Sequence, residues 1–205
     1  IARRNIALNG ESLIAETIRL SKYAKKEIAS IEGLYVLEND ILDGDGKYFV
    51  DPTKLTINVR ELGFSGYDVE RILRHEYNIQ VELSDLYNII ALVTLGDSIE
   101  TIDILLGALR EIAEKRIKTN IVKYSASLPI LPQQIVLPKA AFYSKTRLLP
   151  LDEAEGEISA EMIMAYPPGI PIICPGEQLT KEIIDYIKIL ASEEAQLQGT
   201  EDPDV

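Results

Sequence analysis

A single cysteine (Cys174) and a single histidine (His75) remove several chemistries from this 205-residue chain at the outset. One cysteine cannot close an internal disulfide. One Cys with one His cannot make an ordinary structural zinc set, so no metal is expected. No stretch approaches the roughly 18 consecutive apolar residues that a membrane helix requires. Basic residues are also scarce: 21 Lys and Arg face 33 Asp and Glu, a net charge of −12. An acidic chain with no basic cluster is a poor partner for nucleic acid or an anionic membrane, so neither is expected. Neither Gly-x-Gly-x-x-Gly nor Gly-Lys-Ser/Thr occurs, and the common phosphate cradles are missing with them. The opening Ile1-Ala2-Arg3-Arg4-Asn5 has no initiator Met and no basic-then-apolar signal pattern. The expectation is a cytoplasmic piece of something longer.

What is present is unevenly spread. Residues 1–150 hold 20 acids against 19 bases, whereas residues 151–205 hold 13 acids against Lys181 and Lys188 alone. Residues 11–31 mix Ile14, Ile18 and Ile28 with Lys22, Lys25, Lys26 and Glu27, which predicts an opening helix with one buried stripe. A short β-type run at 34–37 leads to the turn-forming Asp43-Gly44-Asp45-Gly46. A calcium loop starting at Asp43 would need Glu at its twelfth place, where Lys54 stands; a plain turn is favoured. Leu55, Ile57 and Val59 alternate with Lys54, Thr56, Asn58 and Arg60, the period of a half-buried strand. Val69, Ile72, Leu73 and Tyr77 recur at helical spacing, residues 79–83 alternate again, and the apolar run 88–95 suits a central strand. Asp97 with Glu100 three residues on resembles a capping box for a helix whose stripe is Ile102, Leu105, Leu106, Leu109, Ile112 and Ala113. The order is β, β, α, β, β, α behind the opening helix.

The texture changes at Thr119, where Pro129, Pro132, Pro138 and Pro150 break the chain into short extended pieces. Strands are expected at 134–137 and 158–165, then the loop Tyr166-Pro167-Pro168-Gly169-Ile170-Pro171. A closing helix carries Ile183, Ile184, Ile187, Leu190 and Ala191. The fold class is thus α+β: a small layered sheet-plus-helices domain (1–118) is followed by a smaller Pro-rich α+β domain (119–191). Residues 192–205 offer too little to bury against their ordering entropy and are expected to form a mobile acidic tail.

No reaction follows from periodicity. His75 lies on the polar side of its helix with no nucleophile nearby in sequence, and a surface histidine is favoured over a base. Glu82 points the same way as Gln80 and opposite Val81, so it either meets solvent or lines a cleft, and the pattern favours solvent. In Tyr166-Pro167-Pro168-Gly169 the prolines fix φ and Gly169 permits a sharp redirection, as in a rigid positioning loop or an interface.

The stretch Leu151-Asp152-Glu153-Ala154-Glu155-Gly156-Glu157-Ile158-Ser159-Ala160-Glu161, with Tyr166-Pro167-Pro168-Gly169-Ile170-Pro171 and Pro175-Gly176-Glu177, resembles the C-terminal domain of the fold-type I, pyridoxal-phosphate-dependent ornithine/lysine/arginine decarboxylases. Asp51-Pro52-Thr53-Lys54-Leu55, Gly66-Tyr67-Asp68, Val81-Glu82 and the 88–96 strand resemble the small domain that follows the cofactor-binding domain in that family. Ala165, where the family commonly has Pro, and Glu157, where it usually has a basic residue, are departures. The resemblance implies removal of carbon dioxide from arginine, lysine or ornithine on the route to polyamines. Pyridoxal phosphate then acts as electron sink, bound through a lysine that follows a histidine. Here His75 is followed by Glu76, so the resemblance implies that the Schiff-base lysine, its partner aspartate and the phosphate site belong to a missing N-terminal large domain. No cofactor is then expected on this fragment, which alone would be inactive, and the full enzyme would be a homodimer or larger homo-oligomer. By the same resemblance Glu82 matches a carboxylate that meets the distal cation of the substrate, Asp85 is a second candidate, and Tyr166, Pro167, Pro168 and Gly169 are structural. A second reading of the same residues is a stand-alone α+β regulatory or protein-interaction module.

Overall fold

The alternation around Leu55 does form a strand, and its apolar side is the floor of the first core. The computed structural model describes residues 1–38, 42, 44, 46–115 and 130–200. It divides into two units, Ile1–Lys123 and Tyr124–Val205. In the first, α1 (Ala2–Ala29), β1 (Tyr35–Val36), β2 (Lys54–Asn58), α2 (Gly66–Glu76), β3 (Leu83–Ser84), β4 (Asn88–Leu92) and α3 (Ile99–Glu114) follow in the expected order. The sheet runs β1-β2-β4-β3 and every pairing is antiparallel. Leu55 lies opposite Ala91 and Ile57 opposite Ile89, all four buried among the helices. Leu55, Ile57 and Ile89 each contribute about 1.5–3 kcal/mol on full burial, and the smaller Ala91 less. The alternate pairs, Lys54 with Leu92, Thr56 with Ile90 and Asn58 with Asn88, lie on the other face and keep partial exposure.

The α3 stripe is buried at all six expected positions. Its cap is shifted by one residue: Ser98, not Asp97, is the N-cap, with Ser98 N donating to Thr101 Oγ1 at 3.0 Å. Asp97 instead closes the preceding turn by accepting from Thr94 N at 2.7 Å. The opening helix starts well before residue 11, and its buried stripe is Thr17, Leu20, Ser21, Ala24, Lys25 and Ile28, with Ile14 exposed. The strand expected at 79–83 shrinks to Leu83–Ser84. Val81 and Ser84 are both buried; three residues apart, they cannot share one face of a regular strand, and the chain bends at Glu82. The Asp43–Gly46 turn lies partly outside the described residues.

In the second unit, α4 (Pro138–Phe142), β5 (Ile163–Ala165), β6 (Ile170–Ile173), α5 (Lys181–Ser192) and β7 (Leu197–Gln198) form a three-stranded antiparallel sheet, β6-β5-β7, and two helices. Ile163 and Ile173 pack with Leu179, Ile183, Ile184 and Ile187 in a separate core. Thr180 caps α5 by accepting from Ile183 N. Of the strand expected at 134–137 only the bridge between Gln134 and Glu177 appears; the one expected at 158–165 reduces to a bridge at Ile158 plus β5. Pro138 opens α4, where short extended chain is expected; proline suits the first helical turn. Residues 192–200, expected to be mobile, end α5 and supply β7, whose Leu197 pairs with Ala165; residues 201–205 lie outside the described set.

Candidate functional site

The β3–β4 connection is a densely hydrogen-bonded polar locus of the first unit. Asp85 Oδ1 accepts from Tyr87 N at 2.7 Å, Asn88 N at 2.8 Å and Asn88 Nδ2 at 3.0 Å. Asn88 Oδ1 in turn accepts from Asn58 Nδ2 at 2.9 Å, and Asn58 Oδ1 from Arg60 N at 3.3 Å. The Arg60 guanidinium stands 5.1 Å from the centre of the Tyr87 ring. The N-terminus of α2 presses onto this turn from the other side. Gly66 N donates to Leu86 O, and any Cβ at Gly66 would collide with the carbonyl oxygens of Asp85 and Asn88. That contact requires glycine. Ser65 holds the helix start by a reciprocal capping box with Asp68.

Asp85 is therefore engaged by backbone and side-chain donors of its own turn, whereas Glu82, three residues earlier, stands out from the sheet. Glu82 N donates to Ile90 O at 2.7 Å, which anchors its backbone, while its exposed carboxylate meets Lys54 Nζ at 3.6 Å. Exposed pairs of this kind contribute at most about 1 kcal/mol and exchange readily. Asp51 lies near Lys54 as well: hydrogen bonds from Thr53 N (2.9 Å) and Thr53 Oγ1 (2.7 Å) hold its carboxyl below the usual carboxylate range, helped by Lys54 and Lys25. The row Asp51, Lys54, Glu82 alternates in charge. The sequence does not reveal Lys54 as the partner of Glu82, because the two stand on separate segments of the chain; its one signal is its place on the polar side of β2.

Tyr166 to Gly169 belong to the second unit, where they form the turn between β5 and β6. Both the Tyr166–Pro167 and Pro167–Pro168 peptide bonds are cis. Gly169 adopts φ +81° and donates to Ala165 O, and Tyr166 N donates to Gln196 O at 2.9 Å. Glu157, the residue that departs from the family pattern, pairs with Arg147 at 2.9 Å. Cys174 is half-buried, and burial, with Glu177 beside it, raises its thiol above the ordinary value. His75 is exposed on α2. Among the described residues no cluster of His, Cys, Asp and Glu could hold a metal, and no helix is long and apolar enough to cross a membrane.

Residues 1–101 match the family model described as Orn/Lys/Arg decarboxylase, major domain, and residues 116–203 match Orn/Lys/Arg decarboxylase, C-terminal domain. The chain belongs to the Orn/Lys/Arg decarboxylase family. Of the residues read above as a small domain (1–118), residues 1–101 thus fall within the family's major-domain model. The chain is 43% identical over 204 residues to the arginine decarboxylase of Bacillus subtilis, which covers 98% of this chain and 42% of that protein. It is likewise 43% identical over 204 residues to the arginine decarboxylase of Halalkalibacterium halodurans, covering 98% of this chain and 41% of the relative. The inducible lysine decarboxylase of Escherichia coli is 37% identical over a shorter span of 79 residues, 35% of this chain and 11% of that one. The chain therefore spans about two fifths of the length of the arginine decarboxylases it matches. In fold it is similar to the lysine decarboxylase of Francisella novicida, with a TM-score of 0.68 at 24% identity over 90% of this chain and 36% of that one. Lysine decarboxylase A of Pseudomonas aeruginosa gives the same TM-score at 20% identity, over 94% of this chain and 37% of the other.

Proposed function

We propose that this chain is the C-terminal portion of a pyridoxal-phosphate-dependent decarboxylase of basic amino acids, with arginine as substrate. The observation that carries the reading is the 43% identity to arginine decarboxylases along 204 residues, against 79 residues for the lysine enzyme. By the family resemblance the cofactor lysine follows a histidine, and the one histidine of this chain precedes Glu76 rather than a lysine. The cofactor would be held by the part of the polypeptide outside this chain, and no chemical step is assigned to these residues.

Their task would be recognition. Glu82 would accept the distal guanidinium of arginine, a charge-assisted pairing that a carboxylate can make through both oxygens. The loose Lys54 contact leaves that carboxylate available, and its backbone bond to β4 fixes where it starts. Asp85 would shape the neighbouring turn rather than touch substrate, and the Tyr166 to Gly169 turn would be structural. In the full-length protein, Glu82→Gln should lower kcat/KM for L-arginine by about 10- to 100-fold, mostly through KM, in line with about 1.4–2.7 kcal/mol for a charged contact. An unchanged kcat/KM returns Glu82 to the solvated surface. Absence of decarboxylase activity with arginine, lysine and ornithine alike in the full-length protein sinks the enzymatic reading and favours the stand-alone module.

A further inference from the structure

Lys54 stands between two carboxylates with unequal hold on it. Toward β3, its Nζ lies 3.6 Å from one oxygen of Glu82, Oε1, and both side chains are partly exposed. β4 separates β2 from β3 in the sheet. With strands about 4.8 Å apart, the two backbones are about 10 Å from each other. The pair therefore meets only when both side chains extend over β4, where Ile90 and Leu92 lie on the outer face. Holding a four-carbon stem at that stretch costs rotamer freedom in exchange for one long contact. Toward the start of β2 the second carboxylate is local. Lys54 N donates to Asp51 O at 3.3 Å, closing a turn that brings the two residues together. Both hydrogen bonds from Thr53 fall on Asp51 Oδ1, and the Lys54 charge is among the causes that keep this carboxyl below its usual range. Asp51 is thus a fixed, ionised receiver that the lysine can approach by side-chain rotation alone.

We propose that Lys54 is the counter-ion of Glu82 between turnovers, and that it cedes the carboxylate to the arriving guanidinium of arginine by swinging across to Asp51. This rests on the reading of Glu82 as the guanidinium acceptor and adds to it the group that the substrate must displace. The exchange runs downhill because a guanidinium fork makes two charge-assisted hydrogen bonds to a carboxylate, where the stretched ammonium makes one long contact. Asp51 completes it: with no receiver, the displaced ammonium would stand beside the substrate's cation, and like charges that close repel. The apparent affinity for arginine is then set by competition with a cation the protein carries itself.

Steady-state decarboxylation of L-arginine by the full-length protein tests this through a reversal of sign. Lys54→Met removes the competitor and should lower KM by about 2- to 5-fold, the range of an exposed ion pair, with kcat moving by less than about twofold. Lys54→Arg strengthens the competitor, because a second guanidinium can hold Glu82 through both oxygens, and should raise KM by about 3- to 10-fold. A lysine that only braces the sheet gives the other order, with Arg close to the parent and Met impaired. That order, or a KM that moves the same way in both variants or in neither, overturns the proposal. Lys54→Gln takes the place of Met if the Met variant unfolds at lower urea than the parent. The receiver is tested by a double-mutant cycle. Asp51→Asn keeps an oxygen for Thr53; it should raise KM about threefold when Lys54 is present and by less than about 1.5-fold in the Lys54→Met background. An equal rise in both backgrounds means that Asp51 attracts substrate directly, and it refutes the swing. Glu82→Gln separates this proposal from the reading beneath it. If Glu82→Gln raises KM while the Lys54 variants leave it unmoved, the exchange fails and Glu82 remains the acceptor. If Glu82→Gln leaves KM unmoved, the acceptor reading fails and the exchange falls with it.

Discussion

Asp85 gives the sharpest separation between a residue that builds the site and one that binds substrate. Asp85→Ala removes the acceptor for Tyr87 N at 2.7 Å, Asn88 N at 2.8 Å and Asn88 Nδ2 at 3.0 Å. Hydrogen bonds to a charged acceptor contribute about 1.5–3 kcal/mol each; the turn is only half-buried and water replaces part of the loss, so about 2–4 kcal/mol in total is expected. With a urea dependence of about 1–3 kcal/mol per M, the midpoint of the first unit should fall by about 1–2 M. Asp85→Asn keeps an oxygen where the two backbone N–H groups need one, and should stay within about 0.5 M of the parent. Urea unfolding followed by circular dichroism measures both. An Ala variant as stable as the parent, or an Asn variant as unstable as Ala, refutes the turn-building account. The functional counterpart follows from the same geometry: Asp85→Asn in the full-length protein should leave KM for arginine within about threefold, because the charge is not offered to substrate. A tenfold rise at normal stability would make Asp85 a substrate contact after all.

Two further outcomes follow from burial. Lys25 is held below the ordinary lysine value by burial, against the pull of Glu38 and Asp51; the unfolded chain then binds that proton more tightly, so stability should rise as pH climbs through the folded value toward about 10.5. Lys25→Met should raise the urea midpoint at pH 7 and flatten that alkaline rise, and a lower midpoint would show that the two acids outweigh the desolvation. Cys174, pushed up by burial and by Glu177, should be alkylated by iodoacetamide more slowly at pH 8 than a free thiol peptide, its rate still climbing above pH 9. A rate equal to the peptide's would contradict the half-buried placement.

The elements governed by one period were legible. The α3 stripe and the alternation of β2 are each set by contacts with a single core, so spacing alone reveals them. Residues 79–83 misled because their alternation is real only as far as the bend at Glu82, which depends on pairing with β4 and not on neighbours in sequence. β7 was hidden for a related reason: Leu197 is one apolar residue in a polar stretch, and its order comes from pairing with β5 and packing on the second core. At the site, periodicity put Glu82 on the exposed side, where it stands, but could not reveal that Lys54 faces it or that Asp85 is bound by its own turn. Family likeness supplied the idea of a cation contact, which no spacing rule contains.

The four-stranded sheet has its two five-residue strands, β2 and β4, inside, and its two-residue strands, β1 and β3, at the rims. A rim this short offers an incoming strand almost no ladder to extend. The half-exposed Ile90 and Leu92 on the uncovered face would otherwise make a sheet of this kind prone to add strands from other molecules. Terminating both rims after two residues guards the sheet against that addition.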